Sequence, residues 1–363
     1  MDVGIVGFPQ SGKTTLFDAL TGGGEASAVH RGRLQPSVGT THLLDPRLQA
    51  LANVFHPKRI TFAEVRYYDF PLGEGATKGL LFSGDVLNAL QEMDCLLGVV
   101  RAFEHPTVPP PAGGVNPQRD LTELEAELAF ADLSVVERRL QRLEQTLKGA
   151  KPHERPLLLH EQRVLQEVGQ ALEQEHPIRE LSLWKEEMHL LANFHFLTSK
   201  PLLVVVNINE DDLPRQAEIE HTLDTPRRQG RRVLALCARL ERDLALLGAE
   251  EARAFRASMG LEEDGLRRIT QATLDLLGLL TFFTCNQEEV RAWLVPRGTP
   301  AAKAAGKIHS DMERGFIRAE VVPWDSLVAC GSVAETRRQG LLRYEGKAYH
   351  VRDGDVLHIL FSV

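Results

Sequence analysis

Gly7-Phe8-Pro9-Gln10-Ser11-Gly12-Lys13-Thr14 has the form G-x-x-x-x-G-K-[ST], and its two flanks decide how this chain folds. Asp2-Val3-Gly4-Ile5-Val6 ahead of it is a short β-branched run that reads as a buried strand. Thr14-Thr15-Leu16-Phe17-Asp18-Ala19-Leu20 behind it opens a helix with apolar residues at helical spacing. A glycine-rich loop between a strand and a helix is the context in which this motif grips phosphate. Gly7 and Gly12 let the backbone turn tightly enough to aim successive N–H groups at phosphate oxygens, and the helix N-terminus adds partial positive charge. Lys13 is expected to reach the β- and γ-phosphates and the Thr14 hydroxyl to ligate Mg²⁺. Phe8, Pro9, Gln10, Ser11, Gly12, Lys13, Thr14 and Thr15 are therefore the candidate nucleotide contacts at this end.

Such a loop needs a carboxylate at a neighbouring strand tip to hold the magnesium shell. The alternating stretch Ile60 to Tyr68 ends on Asp69, which takes that role and, with Lys13, the candidate catalytic role. Leu96 to Phe103 and Leu202 to Val206 read as further buried strands. Strands alternating with helices predict a doubly wound, mostly parallel α/β sheet. Between Val100 and Leu202 the chain leaves that sheet. A Pro/Gly-rich connector, Pro106 to Pro117, is followed by Leu121, Leu124, Leu128, Ala131 and Val135 at three- and four-residue steps. The stripe continues through Val136, Leu140, Leu143 and Leu147, and Leu158, Leu165, Val168 and Leu172 mark a second helix. This spacing predicts an antiparallel coiled-coil hairpin.

Composition bounds the rest. With 43% hydrophobic and 25% charged residues, the 363-residue chain is an ordinary globular sequence with room for two or three domains. No apolar run approaches the roughly eighteen residues of a membrane span, and no signal peptide is read at Met1. Cys95, Cys237, Cys285 and Cys330 form no C-x-x-C pair, so metal-ligand spacing is absent and reduced thiols in the cytoplasm are expected. The net charge of −8 disfavours a whole-protein affinity for nucleic acid, DNA included, yet permits a local basic patch.

After Val206 comes Asn207-Ile208-Asn209-Glu210. GTPases place N-K-x-D at this corner, where a short carboxylate accepts from guanine N1 and N2. Glu210 is one methylene longer and Ile208 replaces the lysine. Losing one charged hydrogen bond costs on the order of 1.5–3 kcal/mol, enough to abolish a tenfold guanine preference. Asn207, Ile208 and Glu210 are the candidate base contacts, and adenine is the expected base.

These stretches together resemble the YchF family, the Obg-like ATPases. The resemblance rests on GFPQSGKTTLF, the helical insertion, NINE and CARLERDLALL, whose leading Cys237 and Ala238 join the candidate contacts. It continues through FFTCNQEEVRAWLVPRGTPAAKAAGKIHSDMERGFIRAEVVPWDSL and YEGKAYHVRDGDVLHILF, so it spans essentially the whole chain. It implies a Ras-like P-loop NTPase domain over 1–118 and 196–278, a coiled-coil insertion over 119–195, and a β-grasp TGS domain over 279–363. It also implies ATP preferred over GTP, slow hydrolysis, and association with the ribosome or its RNA through the arm and the TGS-like domain. A monomer is expected.

Two departures from the family fall near the γ-phosphate. The family's D-I-A-G is here Asp69-Phe70-Pro71-Leu72-Gly73, and G-A-S-K-G survives as Gly75-Ala76-Thr77-Lys78-Gly79 one residue closer. The family's T-I-E-P-N-V-G is Arg33-Leu34-Gln35-Pro36-Ser37-Val38-Gly39, with Thr40 and Thr41 in the next strand. Binding is expected to survive both. A nucleotide-bound scaffold with little or no hydrolysis stays open as an alternative, as does a GTPase. In the tail, Lys303, Lys307, Arg314, Arg318, Arg337 and Arg343 are read as part of a local basic surface facing structured RNA.

Overall fold

The computed structural model describes all residues except 23–35, 72–81, 83, 112, 225–227, 262 and 363. They form two compact units: Met1–Thr41 with Arg66–Leu276, and His42–Val65 with Leu277–Val363.

The first unit is built on a six-stranded sheet. Its strands are β1 (Asp2–Val6), β2 (Ser37–His42), β4 (Glu64–Asp69), β5 (Cys95–Arg101), β6 (Leu202–Asn207) and β7 (Arg231–Leu236), in the order β2-β4-β1-β5-β6-β7. β1 runs parallel to β4 and β5, and β6 parallel to β5 and β7. Every residue of β5 and β6 is buried, as strands covered on both faces require. This is the α/β fold of a P-loop NTPase. Helix α1 (Lys13–Thr21) follows β1, and α2 (Pro46–Phe55) belongs to the second unit. Helix α3 (Gly84–Gln91) covers the sheet with Val86 and Leu90.

Helix α4 (Pro117–Gly149) has 33 residues, about 50 Å at 1.5 Å per residue. It starts on Asn116, whose side chain accepts from Arg119 N, with Pro117 in the first turn, the N-terminal chemistry that starts a helix. Its first turns are sheet core, not arm. Leu121, Leu124 and Leu128 pack with Leu96, Val100 and Val204, and a Cβ on Gly98 would lie 2.9 Å from Leu124 Cδ2, so that glycine admits the helix. Burying three leucines contributes about 1.5–3 kcal/mol each, which fixes the helix root to the sheet. Farther out, Val136 and Leu143 pair with Val164, Leu165 and Val168 of α5 (Arg155–Glu173), and Arg139 donates to both Glu161 oxygens at 2.6 and 3.0 Å. Helices α4 and α5 thus pack on one another, with the root of α4 embedded in the core of the sheet.

The second unit carries β3 (Arg59–Thr61), β8 (Leu279–Cys285), β9 (Glu289–Pro296), β10 (Phe316–Pro323), β11 (Arg343–Glu345) and β12 (Asp355–Phe361). Their order is β11-β10-β12-β8-β9-β3. Here the structure corrects the sequence reading. Ile60 to Asp69 is two strands in two sheets: β3 pairs in parallel with Glu289–Arg291 of β9, while β4 pairs with β1. Residues 42–65, expected within the first domain, therefore group with the C-terminal residues. Leu48 and Leu51 of α2 join Phe283, Val290 and Leu327 in one core.

Candidate functional site

The phosphate loop begins where β1 ends. Gly7 has φ +148°, and a Cβ there would lie 2.3 Å from the Val99 carbonyl oxygen. Gly12 has φ +94°, and its Cβ would lie 2.2 Å from Asn207 Nδ2. Both positions are closed to any side chain. Gly12 at the start of α1 offers no side-chain cap, so the first N–H groups of the helix stay available as an anion site requires.

Lys13 is only 8% exposed, and its Nζ donates to the Gly7 and Phe8 carbonyls at 2.8 and 3.1 Å, inside the curl of the loop. Burial lowers its pKa to about 8, with Asp69 pulling the other way. Asp69 ends β4 in register with Ile5 of β1. Its Oδ2 accepts from Thr14 Oγ1 at 2.8 Å, while its buried Oδ1 has no partner among the described residues. Burial raises the Asp69 carboxyl above its ordinary range, against the pull of Thr14 and Lys13. An alcohol and a carboxylate on adjacent elements, with one buried oxygen left over, are the hard oxygen donors that Mg²⁺ takes. The donor set fits a magnesium-bound triphosphate. The Ser11 hydroxyl is also buried without a partner, while Phe8 packs on the core and Pro9 and Gln10 are exposed. Thr15 is half-buried one residue along α1.

The base corner is built differently from its sequence reading. Asn207 ends β6 between Arg101 of β5 and Leu236 of β7. Its Nδ2 donates to the Ser11 carbonyl at 3.1 Å, and its Oδ1 accepts from Ala238 N at 3.0 Å. The side chain is thus a strap between the phosphate loop and the start of the helix Ala238–Ala245. Ile208 is 1% exposed and packs in the sheet core, so its side chain is structural where the sequence suggested a base contact. Cys237 is likewise core, its thiol raised by burial. Glu210 is exposed at the head of the short turn Glu210–Arg215. Lys13, Thr14, Asp69 and Asn207 converge on the loop; Ile208 and Cys237 face the interior.

Sequence reasoning missed the neighbouring 101–104 segment. Arg101 lies 4.6 Å above the Phe103 ring and donates to the Phe103, Val108 and Pro109 carbonyls at 3.1, 2.9 and 2.9 Å. In its hydrogen-bonding orientation the Asn209 amide exchanges two 3.3 Å bonds with the Glu104 backbone. Phe103 is thereby held within 3.9 Å of the position of a Gly12 Cβ. The available signal was a charged residue, Arg101, closing an apolar strand.

Arg33, Gly73 and the Gly75–Gly79 loop lie outside the described residues. Thr41 Oγ1 donates to the Leu20 carbonyl of α1, and Thr40 is exposed. In the tail, several cations expected to face RNA are paired: Arg337 with Glu320 at 2.8 Å, Arg343 with Glu345 at 3.2 Å, Lys303 with Glu313 at 2.6 Å, and Arg314 with Asp311.

Known proteins resemble this chain along its full length. The family model YchF-GTPase_C, described as a protein of unknown function (DUF933), matches residues 279–362. The ribosome-binding ATPase YchF of Pasteurella multocida is 37% identical over 362 residues, 99% of each chain. Its namesake in Bacillus subtilis is 36% identical over 368 residues, 100% of each. The solved structure of the Schizosaccharomyces pombe YchF GTPase aligns with a TM-score of 0.84 and 28% identity, covering 99% of this chain and 97% of that one.

Proposed function

Because the chain belongs to the YchF family, we propose that it is a nucleotide-dependent switch that binds ATP in preference to GTP, hydrolyses it slowly, and associates with the ribosome. The observation that carries this reading is the convergence of Lys13, Thr14 and Asp69 on one uncapped helix start, with a buried Asp69 oxygen left unpartnered. Lys13 would hold the β- and γ-phosphates, and Thr14 with Asp69 would hold Mg²⁺. The chemistry supplied by that ion when bound is neutralisation of phosphate charge. The residues of this chain grip and orient; no described side chain is assigned as the base.

The relatives' names divide on the nucleotide, ATPase for two and GTPase for the third. The choice of base is therefore argued from this chain. Glu210 stands one methylene beyond the length that bridges guanine, and Ile208 offers no cation to the base. Ribosome association draws on the names of the bacterial relatives. We assign the contact, with the ribosome or its RNA, to the coiled-coil arm over 119–195 and the TGS-like domain over 279–363. The nucleotide domain is then 1–118 with 196–278, less the segment 42–65 that packs with the C-terminal residues, in a cytoplasmic monomer.

The test is phosphate release from ATP with and without ribosomes. Release that disappears in Lys13→Ala supports the reading. Tight ATP binding with no release in either condition means that the chain is a nucleotide-bound scaffold.

A further inference from the structure

The two units of the chain differ in charge. Residues 42–65 and 277–363 carry fourteen Lys and Arg against twelve Asp and Glu, a net of +2. The whole chain is −8, so the other unit carries −10. A polyanion is repelled by one unit and tolerated by the other.

Within the second unit, one end of a sheet face is bare. Directly opposed residues of antiparallel strands share a face. Glu320 of β10 opposes Tyr344 of β11 and His358 of β12, and Arg318 opposes Leu360. Farther along the same face, Val322 and Val356 are covered by Leu48, Leu51 and Leu327. At the other end of this face Arg318, Tyr344 and His358 are all exposed among the described residues. Tyr344, at 51%, is among the most exposed large apolar side chains of the unit.

The chemistry of that end is selective. The Arg318 guanidinium lies 4.5 Å from the Tyr344 ring centroid, over one face of the ring. Neither Arg318 nor His358 has a carboxylate partner among the described residues. The one carboxylate on this end, Glu320, is held by Arg337 at 2.8 Å. A ring with a guanidinium on one face, beside an exposed imidazole, presents its other π-face to a planar group, while Arg318 supplies positive charge and His358 a ring N–H for an anion attached to it. An unpaired nucleotide carries both in one unit. A base inside a duplex is stacked on its neighbours and cannot lie on Tyr344.

We propose that Tyr344, backed by Arg318 and flanked by His358, is a stacking platform for an unpaired RNA base, with Arg318 and His358 taking the adjoining phosphate. The proposal deepens the ribosome reading, on which it rests, by naming the class of RNA that this domain takes: single-stranded or looped segments, not duplex.

The experiment titrates the full chain into an end-labelled oligoadenylate and, separately, a blunt RNA duplex, read by fluorescence anisotropy. Wild type, Tyr344→Ala and Tyr344→Phe are compared; the side chain is exposed, so the fold tolerates both changes. Tyr344→Ala is expected to weaken single-strand binding about tenfold and leave duplex binding within about twofold, while Tyr344→Phe, which keeps the π-face, stays within about twofold on both. Equal single-strand affinity for wild type and Tyr344→Ala overturns the platform. So does an equal loss on strand and duplex, which marks a phosphate contact, or a wild type that binds neither. Co-sedimentation of wild type with ribosomes separates the two claims. Pelleting with ribosomes together with single-strand binding indifferent to Tyr344 sinks the platform alone. Tyr344-dependent strand binding without pelleting sinks the ribosome reading alone.

Discussion

Removing the Asn207 side chain should loosen the phosphate loop and the fold together. Asn207 is 5% exposed and makes two side-chain bonds, to the Ser11 carbonyl and from Ala238 N, at 3.1 and 3.0 Å. Both partners are backbone groups in a buried setting. Asn207→Ala removes two bonds worth about 1 kcal/mol each and strands one donor and one acceptor, each costing about 1–3 kcal/mol if water does not reach it. The sum, allowing partial hydration of the new space, is about 2–4 kcal/mol of unfolding free energy. The Ser11 carbonyl lies in the loop that must hold phosphate, so nucleotide binding has to restore order that the strap supplied. Affinity is expected to fall by about tenfold, or 1.4 kcal/mol. Urea unfolding reads the first quantity and titration with a fluorescent ATP analogue the second. Asn207→Asp is the control: it retains an acceptor for Ala238 N and faces the Ser11 carbonyl with an oxygen, so stability should fall although the volume is kept. A stability change below about 0.5 kcal/mol for Asn207→Ala would refute the strap. Lost stability with unchanged nucleotide affinity would refute its link to the loop.

Three further outcomes are expected. Lys13, with a pKa of about 8 in the folded chain against 10.5, binds fewer protons folded than unfolded between those values, so its penalty on the fold is full below pH 8 and fades as pH rises to 10.5. At pH 8 the free protein then holds about half a proton there. A bound triphosphate would fill the site, and calorimetry in buffers of different ionisation heat should read that uptake; its absence, or its persistence in Lys13→Met, contradicts the assignment. Asp69→Asn should remove most of the magnesium dependence of nucleotide affinity while leaving magnesium-free affinity within about twofold, since only the metal-facing charge is lost; an unchanged magnesium titration would reassign the role. Glu125 is shared by Arg179, Arg231 and Arg228 at 2.8, 3.2 and 3.5 Å, the first two only 5% exposed. Glu125→Ala leaves buried cations short of their counter-charge and should cost about 3–5 kcal/mol by urea unfolding, whereas a surface-like loss below about 1 kcal/mol would show the cluster to be hydrated.

Legibility in the sequence followed the range of the interactions involved. The strand, loop and helix around Gly7 to Thr14 are local, and so were read correctly: β1 spans Asp2–Val6 and α1 begins at Lys13. The two long helices are equally visible, because an apolar stripe recurs at helical spacing in each of α4 and α5 on either side of the Lys151-Pro152 break. What could not be read was set by distant partners. Nothing in Ile60 to Asp69 marks a change of sheet, because β3 is recruited by β9, whose residues lie about 230 positions away. The apolar Ile208 fits a base corner or a core equally well by sequence, and only the packing around Val206 and Leu240 decides for the core. Asn207 was located from its corner, but its strap to Ser11 depends on the loop curling back over the sheet. In the basic tail, composition counts arginines, and only geometry shows which are paired with Glu320, Glu345 or Asp311.

The central claim is that this loop grips an adenine nucleotide because Glu210 and the buried Ile208 deny guanine its usual partners. A competition titration, in which ATP and GTP displace one fluorescent nucleotide from the wild type and from Glu210→Asp, tests it most directly. The account predicts ATP bound at least about tenfold more tightly by the wild type, with the gap narrowing in Glu210→Asp as the shorter carboxylate regains guanine. Equal or tighter GTP binding by the wild type would contradict it.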